Sequence, residues 1–142
     1  FRVLDGKTVA YRDLTGSGIE TIAHLKENGR IVILFCAFEG PPKIVRLHGQ
    51  GVPVERDDSE FEALSRLFGE ASEPERVSTR AFIKIELSRI SDSCGYSIPL
   101  YDYVSDRDVL LKWADNKGQE GVDDYQKENN VQSIDGLPGL GN

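Results

Sequence analysis

Ile31 to Phe38 is an unbroken apolar run, closed off by Gly29 on one side and by Glu39-Gly40-Pro41-Pro42 on the other. It is too short to cross a bilayer, which takes about 20 apolar residues in a helix. Its residues are mostly β-branched or aromatic, which favours a strand. No polar residue alternates through it, so the run predicts a strand covered on both faces. The Gly-Pro-Pro stretch forces a turn after it.

The flanking sequence alternates between two periods. Phe1 to Leu4 and Thr8 to Asp13 read as strands, and Asp5-Gly6-Lys7 joins them as a hairpin turn in which Asp-Gly takes positive φ. From Ile19 the period changes: Ile19, Ile22, Ala23 and Leu25 share one helical face, and Asn28-Gly29 stops the helix. Lys43 to Glu55 alternates loosely, with Gly49 and Gly51 marking a bulge or sharp bend. Asp58 or Ser59 caps a helix through Phe68, with Ser59 and Glu62 as a capping box and Phe61, Leu64, Leu67 and Phe68 as its apolar face. Gly69 to Ser78 reads as a polar connection.

Thr79 to Ile90 is the last strand. Ala81, Ile83, Ile85 and Leu87 form its buried face; Phe82, Lys84, Glu86 and Ser88 form a mostly wet one. After a tyrosine-rich loop, Ser91 to Val104, Ser105 caps a helix over 106–116 that turns Val109, Leu110 and Trp113 inward. Lys117-Gly118 stops it, and a polar helix follows from about Gly121 to Asn129. Ser133 to Leu140 has no period and reads as disordered or laid across a neighbour. The pattern predicts an α+β chain: a small antiparallel Greek-key barrel with flanking helices, spanning residues 1–132, and a tail over 133–142.

A formal net charge of −7 argues against partners such as nucleic acid or an anionic membrane, which need a positive field. Cys36 sits in the apolar run and Cys94 in a polar loop, a usage that fits a reducing, cytoplasmic compartment and no disulfide framework. Neither Cys has the neighbours of a metal site. The chain begins at Phe1 and contains no Met, so the expectation is that a segment ahead of Phe1 has been removed or that the sequence starts partway along a longer product.

Thr15-Gly16-Ser17-Gly18 stands between a strand and a helix. Two readings are open: a plain turn with Ser17 as N-cap, or a phosphate cradle in which Gly18 lets a ligand approach, the helix amides bind the anion, and Ser17 and Thr21 add hydroxyls. Neither a Walker nor a dinucleotide fingerprint is present. Lys43, Arg46 and Arg80 are strand cations; wet-face residues by default, they are also suited to a phosphate, the forked donors of Arg above all. His24 and His48 have no ligand-spaced companions. The loop Ser93 to Tyr103 has the aromatics to line a planar ligand or meet a partner subunit.

Several stretches together resemble the pyridoxamine 5′-phosphate oxidase-like family. They are Thr8-Val-Ala-Tyr-Arg-Asp-Leu-Thr-Gly-Ser-Gly18, then Glu20 to Arg30, Ile31 to Phe38, and Pro41-Pro-Lys-Ile-Val-Arg-Leu-His-Gly49. Ser91-Asp-Ser-Cys-Gly-Tyr96 and Ser133-Ile-Asp-Gly-Leu-Pro-Gly-Leu140 are similar to one uncharacterised subgroup. The resemblance implies a split β-barrel, a homodimer, and FMN bound at the subunit interface for an oxidoreductase acting on a small molecule. It places the cofactor's phosphate near Ser17, Gly18, Thr21 and Arg46. It also implies further strands ahead of Phe1. The cations that the family's oxidases carry after the loop serine are replaced here by Gly18-Ile19-Glu20. The alternative is a flavin-free split barrel that binds another ligand or dimerises.

Overall fold

The computed structural model describes residues 1–141. Five strands, β1 (Arg2–Val3), β2 (Thr8–Leu14), β3 (Arg30–Cys36), β4 (Ile44–Glu55) and β5 (Thr79–Ser93), form one antiparallel sheet in the order β1-β2-β5-β4-β3. β3, β4 and β5 follow one another as a meander, and β2 lies beside β5, which is the Greek-key arrangement. The sheet curls: the Phe1 ring, ahead of β1, meets Phe35 of β3 edge-on at 5.3 Å between centroids. The two ends of the sheet thus approach without pairing, as in a split barrel.

Helices α1 (Glu20–Asn28), α2 (Phe61–Leu67), α3 (Glu73–Ser78) and α4 (Val109–Asn129) complete the α+β fold. Strand alternation gives the sheet two apolar faces. Inside the curl, Val9, Leu47, Ala81, Ile83 and Ile85 pack with Ile19, Ile22 and Leu25 from α1 and the turn before it. On the outer face, Ala10, Val54 and Phe82 pack under Leu64 of α2. Phe82 is 1% exposed, with Phe61 and Phe68 rings 5.1 and 4.9 Å away. The face of β5 expected to be wet is therefore dry at Phe82, because α2 covers it there.

The expectation that β3 is covered on both faces is overturned. β3 is an edge strand, and Val32, Leu34 and Phe35 are 50%, 51% and 43% exposed. Its apolar run reflects exposed surface, not a central place in the sheet.

Local chemistry explains several junctions. The β1–β2 turn needs no positive φ at Gly6; Asp5 Oδ1 instead accepts from the amides of Lys7 and Thr8 at 2.7 and 2.8 Å. Gly29 ends α1 in the left-handed region, at φ 70°, and its amide donates to Leu25 O. The bulge on β4 falls between His48 and Gly49. A Cβ at Gly49 would lie 2.3 Å from Glu86 O, so only glycine lets β5 approach there.

The capping box forms elsewhere than expected. α2 has no side-chain cap, whereas Ser72 caps α3 and Glu75 returns the bond to the Ser72 amide at 2.8 Å. The supposed polar connection after Gly69 thus holds a helix. The two helices expected after Ser105 are joined as α4, broken at Gly118, where φ is 65°. Val109, expected to face inward, is 69% exposed. The tail lies along this chain's own α1: Ile134 N donates to Glu20 Oε1, His24 Nε2 is 3.3 Å from Asp135 Oδ2, and Lys26 Nζ donates to Gly139 O.

Candidate functional site

The loop after β2 is built from below. Thr15 is fully buried; its amide and its hydroxyl both donate to Ser78 O, at 2.7 and 2.8 Å, and its hydroxyl accepts from Gln126 Nε2 of α4 at 2.7 Å. Asn130 Nδ2, just past α4, donates to Gly16 O at 2.9 Å. Arg80 Nη1 donates to Asn130 Oδ1 at 2.9 Å, and Arg80 Nε donates to Asp13 Oδ2 at 2.6 Å. Four elements therefore fix one short turn. What the network leaves outward is Ser17, Gly18 and Thr21, all exposed.

Ser17 is not the helix cap. Ile19 occupies the N-cap position and offers no side-chain bond. The start of α1 is served by Glu20, whose carboxylate accepts from its own amide and from those of Ile134 and Ile19, and which therefore sits below the ordinary carboxylate pKa. A Cβ at Gly18 would stand 2.6 Å from Glu20 Oε2; glycine leaves room for that carboxylate to fold back. The chain's own anion thus stands at the positive end of α1.

Arg46 lies elsewhere. It pairs across the sheet with Leu34 and Ser91, and its Nη1 donates to Ser93 Oγ at 2.9 Å. Leu14, which leads into the Ser17 loop, pairs with Thr79. Thr79 and Ser91 stand at opposite ends of β5, roughly 40 Å of strand apart. A single chain does not bring Arg46 to Ser17.

Beside Ser17 opens a cleft of about 460 Å³, bounded by Thr15, Gly16 and Ser17 on one side and by Arg107, Val109, Leu110, Trp113 and Tyr125 on the other. The Trp113 and Tyr125 rings meet edge-on at 4.9 Å, and Lys117 Nζ lies 5.6 Å from the centre of the Trp113 ring. The Arg107 guanidinium and the exposed Ser17 stand next to an aromatic and aliphatic wall. That lining suits a molecule with a flat ring and an anionic end. The sequence does not single out Arg107, which precedes α4, or Tyr125, in its polar second half, because nothing local shows that both border the β2 loop.

The two histidines share a different cleft. His24 and His48 line one cleft of about 660 Å³ with Arg30 and Ser88. His48 Nε2 lies 3.4 Å from both Arg89 Nη2 and Ser91 Oγ. Cys36 and Cys94 are both free thiols. No helix among the described residues is long and apolar enough to cross a membrane.

Comparison with known proteins bears on this arrangement. A family model described as pyridoxamine 5′-phosphate oxidase matches residues 1–94, which takes in the whole sheet up to the end of β5. An Aspergillus flavus protein, described as pyridoxamine 5′-phosphate oxidase family protein ustO, is 38% identical over 155 aligned residues. The alignment covers 99% of this chain, α4 and the tail included, and 60% of the relative, so the chain spans under two thirds of that protein's length.

Proposed function

The chain belongs to the pyridoxamine 5′-phosphate oxidase family, and on that premise we propose that it is an FMN-dependent oxidoreductase domain acting on a small molecule. The observation that carries this reading is the cleft between the β2 loop and α4, with Arg107 and Ser17 at one end and Trp113 and Tyr125 along its wall. Bound FMN would supply the redox chemistry, and the protein supplies binding and orientation. Arg107 and the Ser17 hydroxyl would hold the phosphate, with Gly18 and Thr21 at the outer lip. Trp113, Tyr125 and Leu110 would flank the ring and keep water from it.

Arg46 belongs to such a site only when a second copy of the chain supplies it. The exposed apolar edge strand β3 supports a homodimer, since an unpaired edge of this kind is a surface that native proteins cover. Two free thiols support work in a reducing, cytoplasmic compartment.

A second reading, a flavin-free binding or dimerisation module, is favoured by Glu20. Its carboxylate folds back beside Gly18 at the start of α1, where a phosphate would have to sit. The fluorescence of Trp113, the only tryptophan, separates the two readings. Titration with FMN quenches it saturably if the cleft takes the cofactor, and Arg107→Gln weakens that binding. Emission that stays unchanged, with an unaltered FMN spectrum, assigns the chain to the flavin-free class.

A further inference from the structure

Arg12 is where the hydrogen-bond accounting of the fold does not close. Its side chain is 13% exposed, and its Nη1 donates to Glu75 Oε1 at 3.3 Å. The guanidinium carbon lies 5.6 and 6.0 Å from the ring centres of Phe68 and Phe82. Its Nε has no acceptor, the one buried side-chain polar atom so placed among the described residues. A dry, unpaired N–H is destabilising. Nε is closed off from the cleft, but Nη2 of the same guanidinium also has no acceptor among the described residues and stays accessible.

Arg12 lines a cleft of about 330 Å³ between α2, α3 and the start of β5. Arg56 and Arg76 line the same cleft, with Ser65 and Gln119 beside them. Arg56 donates to the carbonyls of Thr79, Arg76 and Val77 at 2.7 to 2.9 Å and makes no ion pair among the described residues. Burial pulls its pKa below the ordinary guanidinium value, partly offset by Asp123. The acids around the cleft are either committed or at its rim. Glu75 is held by Arg12 and Ser72, and Glu73 by Arg76. Glu62 is exposed, where water and salt screen it, while Arg12 at the floor is screened least.

We propose that this cleft binds a small organic anion, a compact molecule bearing a phosphate or carboxylate group, with Arg12, Arg56 and Arg76 as its donors. Guanidinium forks suit both head groups. The cleft shares no lining residue with the one at Ser17, and the inference does not rest on the flavin reading.

Calorimetric titration of the chain with inorganic phosphate, and separately with malonate, at constant ionic strength tests it. Saturable heat with at least one of the two is expected, with a rise in Tm. Loss of one charge-assisted hydrogen bond weakens binding about tenfold, so Arg12→Gln and Arg76→Gln both lower the affinity by at least that factor. The exposed Arg76 keeps the test valid if Arg12→Gln fails to fold; Arg30→Gln is the control and binds as the parent does. Phosphate alone, or malonate alone, supports the proposal and fixes the head group. No saturable heat with either probe overturns it. So does parental affinity in Arg76→Gln and in any folded Arg12→Gln, or Trp113 emission that tracks the added anion, which would place it at Ser17 instead.

Discussion

Arg80 Nε and Asp13 Oδ2 are 2.6 Å apart, and both side chains are largely shielded from water, at 7% and 16% exposure. The pair ties β5 to β2, and the same guanidinium reaches Asn130 Oδ1 past the end of α4. Removing one member of a buried pair strands the other's charge, which costs about 3–5 kcal/mol. Arg80→Ala is expected to lower unfolding free energy by that amount in urea denaturation. Asp13→Leu combined with Arg80→Met is expected to recover much of the loss, because no charge is then left unpaired.

Leu34 projects from the edge strand at 51% exposure. If β3 forms the contact between two copies, Leu34→Lys places a charge in it without disturbing the core. Sedimentation velocity is expected to show a dimer for the parent chain and a monomer for the variant. A dimer that survives the substitution at the same concentration removes β3 from the interface.

Tyr11 points into the curl of the sheet, and its phenol is pushed up to about 12, chiefly by burial and then by the neighbouring Asp13 charge. Its folded pKa lies above the unfolded value of 10.0. The stability that its neutral form contributes is therefore complete below pH 10 and is lost as pH rises towards 12. Spectrophotometric titration should find the Tyr11 contribution ionising late, and Tyr11→Phe should remove that contribution.

Gly139 lies where a side chain has no room: a Cβ there would fall 2.2 Å from Asn130 O and 2.8 Å from Ile19 Cγ1. Gly139→Ala is expected to lift the tail from α1 at a cost of about 1–3 kcal/mol. Hydrogen exchange should report it, with protection lost at Gly139 and Leu140, whose amides donate to Val131 and Asn130, and kept at Ile83 and Ile85.

Much of the fold was legible because its signals are local. Gly29 ends α1, Asp5 makes the first turn, and Gly49 marks the β4 bulge, each through geometry within a few residues or a steric demand only glycine meets. Exposure of β3 was not legible, since an apolar run reads alike in a central strand and in an edge awaiting a partner. Phe82 was misread because α2, whose Phe61 and Leu64 cover it, comes from another part of the chain. Ser72-Glu73-Pro74-Glu75 did carry the capping signal, but without an apolar run behind it the helix went unseen. Of the residues lining the proposed cleft, Ser17 is visible in the sequence through its glycine-rich loop. Arg107, Trp113 and Tyr125 line the same cleft, and the bonds of Gln126 and Asn130 back to Thr15 and Gly16 that tie α4 to this loop leave no local signal.

β5 is the seam of the sheet, bonded on one side to β2 and on the other to β4. Its residues come late: Thr8 and Glu86 are paired across more than half the chain. Such distant pairings close slowly, because loop entropy is lost before contacts repay it. Until Thr79–Ser93 has left the ribosome, the chain has strands for only two separate hairpins, β1–β2 and β3–β4, each marginal on its own in water. A product cut short before Thr79 would have no strand to join them, and their apolar residues would be open to other chains.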